Sequence, residues 1–332
     1  MTAAVTALPS YAELRERTDA PAGSSWGVFG KDDEYGTLNF LTPDRVAAAA
    51  KYAKRGAVFG LDYPLDAFPG PLRFRDDHEH VIFSIAINDG VPSRTHELTT
   101  MIDDYLDHFY PQSSSHIDAY RHIVHPEHGL YNGGTVDEVV AGSPRLGIGR
   151  WAERGIAGRG VLIDVAGYRE SIGKPVDHLA SETFGPDALE EVLAAQGTTI
   201  KPGDMLLLRT GCPAHLWAYA DDDESAMKTA GLATGVASVS WLWDNQISLI
   251  ASDNLGVEST GGNDTSEFGE GRAGRLHPQL IALLGMAVGE LWKLDELAAD
   301  CRADGVYEFF LTVKPLNLTG GVGSPANATA IK

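Results

Sequence analysis

Gly160-Val-Leu-Ile-Asp-Val165 and Asp204-Met-Leu-Leu-Leu-Arg-Thr210 are two short runs, apolar almost throughout. Such runs suit strands that are covered on both faces, as in a parallel sheet flanked by helices. Between them Pro186 to Ala195 carries the pattern of a helix, with Gly197 placed to stop it. The alternation continues outward to the C-terminus. A helix is predicted over Gly235 to Asn245, a strand over Ile247-Ser-Leu-Ile-Ala-Ser252, helices near His277 to Leu284 and Leu294 to Cys301, and a strand over Val306 to Val313. Strands and helices in turn predict an α/β domain.

Toward the N-terminus, Ser10-Tyr-Ala-Glu13 is a capping box opening a short helix. Thr42 caps a second, with Pro43 at its first position and an Ala-rich run to Lys54-Arg55. Strand-like runs follow over Ala57 to Leu61 and His80 to Ile87. No repeat, low-complexity tract or linker divides the chain. Residues 1–332 therefore read as one domain, with 1–45 as an N-terminal arm or helical extension. Asp221 to Glu224 and the Gly-rich Thr260 to Arg275 read as surface loops.

The 332 residues carry 26 Lys and Arg against 46 Asp and Glu, a net charge of −20. That balance excludes a nucleic-acid backbone or an anionic lipid surface as partner. The 43% hydrophobic content supplies a full core. No apolar run approaches a membrane span, the start lacks a signal-peptide pattern, and a cytoplasmic protein is expected. Cys212 and Cys301 are too few for a disulfide framework or a thiolate metal site. Two short motifs fail on context. Gly23-Ser-Ser-Trp-Gly27 matches G-x-S-x-G, but no strand precedes it. Gly147-Ile-Gly149-Arg-Trp-Ala152 resembles a dinucleotide fingerprint, but its strand comes afterwards.

One signal survives. His108, His116, His122, His125 and His128, five of the eleven histidines, fall within 21 residues. At the centre stands Gln112-Ser-Ser-Ser-His116-Ile-Asp118-Ala-Tyr-Arg-His122. On an extended segment His116 and Asp118 point to the same side and could share a cation. Imidazole with carboxylate suits zinc or manganese. His122, four residues on, is placed to flank the metal as acid or base. For the bare H-x-D alone, a polar loop whose histidines only hydrogen-bond to backbone is the better reading, because the pattern is so short.

The wider sequence bears on that choice. The segment resembles H-x-G-T-H-x-D-x-P-x-H, the metal-site signature of the cyclase family, which includes bacterial kynurenine formamidases and isatin hydrolases. Asp33 to Pro43 is similar to the N-terminal block of its longer members. Gly158 to Val165 and Gly203 to Gly211 resemble two central strands, Leu276 to Leu284 with Gly289-Glu-Leu291 a late His and Glu block, and Lys314 to Pro325 a closing strand and turn. The resemblance implies a swivelling β/β/α-type fold with a mixed sheet and flanking helices, and a homodimer or homotetramer. It puts metal ligands at His116 and Asp118, the acid–base histidine at His122, and the later ligands of two-metal members at His277 and Glu290.

Gln112 stands where the signature has its first histidine, Ser114-Ser115 replace Gly-Thr, and Tyr120 replaces Pro. An amide oxygen suits manganese better than zinc, which favours one metal over a zinc pair if Gln112 is a ligand. Tyr120, Phe109 and Trp26, with Tyr110 and Trp217, are candidates for an aromatic wall around a small-molecule substrate. The expected reaction is Mn2+- or Zn2+-dependent hydrolysis of a C–N or C–O acyl bond in a small amide, imide, formamide or lactone. The alternatives are an aromatic polyketide cyclase or dehydratase on the same fold, and a non-catalytic small-molecule binding protein.

Overall fold

A computed structural model describes residues 8–68, 75, 78–88, 91–95, 101–262 and 265–332. Its strands, in chain order, are β1 (Val58–Gly60), β2 (Glu79–Asn88), β3 (Val91–Thr95), β4 (Met101–Asp107), β5 (His116–Asp118), β6 (Ile156–Asp164) and β7 (Thr183–Phe184). They continue as β8 (Met205–Arg209), β9 (Gly231–Leu232), β10 (Leu249–Ser252), β11 (Ala287–Glu290), β12 (Glu308–Val313), β13 (Gly323–Pro325) and β14 (Ala328–Ile331). Nine form one mixed sheet in the order β1-β14-β12-β6-β8-β10-β11-β5-β13. The four middle strands β6, β8, β10 and β11 run parallel, in register through Gly160, Met205, Leu249 and Ala287. The flanking strands pair antiparallel. The expected mixed α/β architecture in a single domain is therefore present, with helices that include Pro186–Gln196 and Val236–Asp244.

Local chemistry sets the element ends. Ser10 and Glu13 form the capping box of helix Tyr11–Glu16, and Thr42 with Pro43 opens Pro43–Ala49. That second helix stops sooner than the Ala-rich run suggests, tightening to a 3₁₀ turn over Ala50–Tyr52. β6 starts four residues earlier than its apolar core implies, and its last residue, Asp164, caps the helix Val165–Ser171. The segment near His277 forms a π-helical turn, Pro278–Leu283, and Asp223–Ala226 is a short helix where a loop was expected. Residues 8–45 are built into the body of the domain. Tyr11, Leu14, Leu38 and Phe40 are buried in the main core, and the Trp243 indole donates to the Pro9 carbonyl at 2.8 Å. Of the two failed motifs, Ser25 is fully buried with its hydroxyl donating to the Leu284 carbonyl, a position no nucleophile could use.

β2, β3 and β4 form a separate three-stranded sheet that leads directly toward β5. Ile82 and Ile102 share one face of it and are each 65% exposed. Among the described residues, no helix is long and apolar enough to cross a membrane.

At the carboxyl ends of the parallel strands Asp164 accepts from Arg209 at 2.8 Å, from Arg302 at 2.5 Å and from the Gly167 amide at 3.0 Å. Removing a buried carboxylate strands its partners. Asp164→Ala is expected to destabilise the fold by about 3 kcal/mol, read as a lower urea midpoint at unchanged slope. Asp164→Asn, which keeps the helix cap, should lose less.

Candidate metal centre

Three residues per strand suffice to build the centre. β5 lies antiparallel between β11 and β13, with His116 opposite Glu290 and Asp118 opposite Val288 and Gly323. Alternation puts His116 and Asp118 on one face, and direct opposition adds Glu290 to it. The result is a buried cluster in which one ligand atom from each of the three lies within 4.8 Å of the others. His116 Nε2 is 3.0 Å from Glu290 Oε2 and 3.7 Å from Asp118 Oδ1.

The other ring nitrogen explains the orientation. His116 Nδ1 donates to the Ser114 carbonyl at 2.7 Å, which can only accept, so Nδ1 carries a proton and Nε2 faces the carboxylates. This is the tautomer a metal-binding imidazole uses, with a carbonyl fixing the ring from behind. Trp292 donates from its indole to the His116 carbonyl at 2.9 Å and holds the strand itself. That packing needs Gly289, because a Cβ there would lie 2.7 Å from the Trp292 indole nitrogen.

His277 reaches the same cluster from the start of the π-helical turn. Its Nε2 is 2.7 Å from Glu290 Oε1 and its Nδ1 is 2.6 Å from Glu258 Oε2. Burial alone would discharge this ring, but Glu258 and Glu290 outweigh it and hold the pKa well above the ordinary imidazole value. Burial likewise opposes a charge on His116, yet Glu290 and Asp118 raise its pKa. Glu290 shows the reciprocal effect: burial pushes it up, and the two histidines pull it far below the carboxylate range.

Asp118 is the least satisfied member. Its Oδ2 is buried without a hydrogen-bond partner, a costly state for a carboxylate oxygen. Gln112 lies beside it, its amide N–H donating to Asp118 Oδ1. Gly323 makes room, since a Cβ there would come within 2.7 Å of the Gln112 amide carbon. The Arg75 guanidinium, which donates to the Gln112 carbonyl, lies near enough to feel Asp118 and Glu290. His122 stands at the open side, 30% exposed, with Nε2 3.9 Å from Asp118 Oδ2. Two buried carboxylates, one with an unpartnered oxygen, and an oriented imidazole nitrogen make a donor set that fits a divalent cation.

The structure thus brings together Gln112, His116, Asp118, His122, His277 and Glu290. It places the aromatic candidates differently. Tyr120 is corrected: its ring is fully buried between Tyr131 and Trp151, and its hydroxyl donates to the Tyr35 carbonyl at 2.8 Å, so it is a core residue and not a pocket wall. Trp26 packs half-buried against the core, donating to the Ala282 carbonyl at 2.8 Å. Phe109 is half-buried three residues before Gln112. Trp217 stacks on Phe68 with Tyr63 edge-on to both. His125 and His128 stack on each other outside the ligand cluster. Glu258 was not foreseen. It is a lone acid in a loop, with no spacing signal to connect it to His277.

The chain belongs to the cyclase family, whose family model, described as a putative cyclase, matches residues 74–259. A crystal structure of a novel cyclase is 29% identical, covering 98% of this chain and 100% of that one at a TM-score of 0.79. Isatin hydrolase A from Ralstonia solanacearum shares the fold at 16% identity and TM-score 0.52, covering 87% and 97% of the two chains. Isatin hydrolase A from Labrenzia aggregata, bound to benzyl benzoate, does so at 16% and 0.53, covering 89% and 98%. No curated protein matches the chain.

Asp118→Asn removes the central negative charge at constant size. It is expected to lower the affinity for Mn2+ by more than about a hundredfold in calorimetric titration, beyond what loss of an outer partner costs. Equal affinity in wild type and variant would place the cation elsewhere.

Proposed function

We propose that this protein is a metal-dependent hydrolase that cleaves a C–N or C–O acyl bond in a small amide, imide, formamide or lactone, aromatic ones included. The observation that carries this reading is the buried convergence of His116, Asp118 and Glu290, with an Asp118 oxygen left unpartnered. These three residues would hold Mn2+ or Zn2+, with His277 and Gln112 bordering them. The cation would supply an acidified water and a polarised substrate carbonyl.

The chain's own groups divide the remaining work. Ser114 fixes the His116 ring through Nδ1, and Glu258 fixes His277 in the same way, so neither imidazole has to reorganise during turnover. His122 has the one imidazole at the centre that is both near Asp118 and open to solvent. Its Nε2 takes a proton from the attacking water and returns it to the leaving nitrogen or oxygen. Such a role needs access to substrate, and the 30% exposure of the ring supplies it.

His122→Ala is expected to keep its metal and slow turnover by roughly 10²–10⁴-fold. Loss of metal in parallel with activity would make His122 a ligand instead. A panel of amides, imides, formamides and lactones, followed by proton release with added Mn2+ or Zn2+, tests the reaction class. Turnover of a poly-β-keto chain alone would turn the reading to a cyclase. A metal-loaded protein that binds but turns over none of them would make it a binding protein.

A homodimer or homotetramer also belongs to this reading, supported by the open face of the β2–β3–β4 sheet. Lysine at both Ile82 and Ile102 should shift the light-scattering mass toward the monomer, and an unchanged assembly would exclude this face from the interface.

A further inference from the structure

The opposite end of the parallel strands carries a second concave feature. A cavity of about 410 Å³ opens where β6 and β8 begin, beside Gly158 and Pro202, and is closed on its far side by the helix Pro43–Ala49 and the turn after it. Its size falls within the roughly 300–1,000 Å³ of small-molecule sites. Glu290 lies at the other end of this parallel set, at the last residue of β11, so this cavity is separate from the metal centre.

Charge singles it out. Five of its thirteen lining residues are cationic: Arg45, Lys51, Lys54, Arg159 and Lys201. Spread evenly over the chain, the 26 cations would put about one among thirteen residues, and the protein as a whole is at −20. Arg159 is neutralised, with Asp204 at 2.6 Å and Glu308 at 3.0 Å. The other four make no ion pair, although Lys201 lies near enough to Asp204, itself a lining residue, to act on its charge. Arg45 donates to two neutral oxygens, the Phe40 carbonyl at 2.9 Å and the Gln246 amide at 3.0 Å. Lys201 meets the Tyr52 hydroxyl at 2.9 Å. Lys51 and Lys54 are exposed at the rim. Among the described residues no carboxylate stands within ion-pair distance of these four.

Four like charges gathered around a cavity repel one another, and a chain with 46 acids has no shortage of groups to place between them. The wall behind them is apolar, formed by the buried Leu41 and Ala49 with the Tyr52 ring. Cations at a rim over an apolar wall match a ligand that has acidic groups on a compact carbon body. We propose that this cavity binds a small multivalent organic anion, a nucleoside phosphate or a polycarboxylate, at a site apart from the metal centre. The shared chemistry is two or more negative charges on one small molecule. Whether they are phosphates or carboxylates is for the titration to decide.

The test is calorimetric titration of the full chain with ADP, citrate and inorganic phosphate. It is run on wild type, on the rim variant Lys51→Glu/Lys54→Glu, and on a control, Lys31→Glu/Lys174→Glu. Both variants change exposed lysines and shift the net charge equally. They also leave the metal centre intact, so heat from chelation of metal by the probes is common to all three proteins. Saturable binding of ADP or citrate is expected, weakened about tenfold or more in the rim variant and little in the control. ADP alone would identify a phosphate ligand and citrate alone a carboxylate. No saturable binding of any probe, or equal weakening in both variants, would overturn the site. Phosphate binding as tightly as ADP and citrate would overturn the organic body.

Discussion

Glu290 faces His116 because a three-residue strand pairs antiparallel with β11, and the candidate metal centre depends on that register. A slip of one residue would carry His116 and Asp118 to the other face of the sheet and leave Glu290 opposite an apolar side chain. So short a strand makes few ladder hydrogen bonds of its own. It is fixed by neighbours on both sides, by Trp292 donating to the His116 carbonyl, and by Ser115, whose hydroxyl bonds the Leu291 carbonyl. Gly289 and Gly323 matter for the same reason: side chains there would push Trp292 and Gln112 away from the strand they support.

Electrostatics sets the second constraint. Asp118, Glu258 and Glu290 are all buried, and among the described residues two buried imidazoles, His116 and His277, lie between them, with His122 and Arg75 nearby. Buried carboxylates cost several kcal/mol each unless they are compensated. His277 compensates two of them at once by bridging Glu258 and Glu290, and both histidines are shifted toward the charged form as a consequence. Asp118 Oδ2 keeps no partner. The imbalance is therefore local to the oxygen that a divalent cation would meet, with His122 standing beside it at the solvent side.

The parallel strands also give the molecule two unlike ends. At their carboxyl ends lie the candidate ligand cluster, with its unpartnered Asp118 oxygen, and the Asp164–Arg209–Arg302 network, in which a buried carboxylate is shared by two arginines. At their amino ends lies the cationic cavity, where Arg159 is paired with Asp204 and Glu308 but the other four cations make no ion pair among the described residues. With a net charge of −20 the whole molecule repels anions at long range, and screening at physiological salt confines any local attraction to about 8 Å.

The sequence by itself determined the parallel core, because buried strands such as Met205–Arg209 must be continuously apolar and their helices must begin and end at caps that local chemistry sets. It also determined the pairing of His116 with Asp118, since a period of two is a property of any extended segment. Gln112, a departure from the family signature, lies beside Asp118 and donates its amide N–H to it. The rest required the tertiary structure. Glu290 meets His116 only when β11 pairs with β5, and His277, 13 residues before Glu290, reaches it only once the turn ahead of β11 has packed. Glu258 lies in a loop with no period to announce it, and the cationic cavity is assembled from three separate stretches of chain. Tyr120 shows the limit from the other side: an aromatic residue two positions from a ligand looks like a pocket wall, and only packing against Tyr131 and Trp151 reveals it as core. Periodicity and capping act within one segment and can be read from it. Distance between segments is set by the register of strands and the burial of side chains, which exist only once the chain has folded.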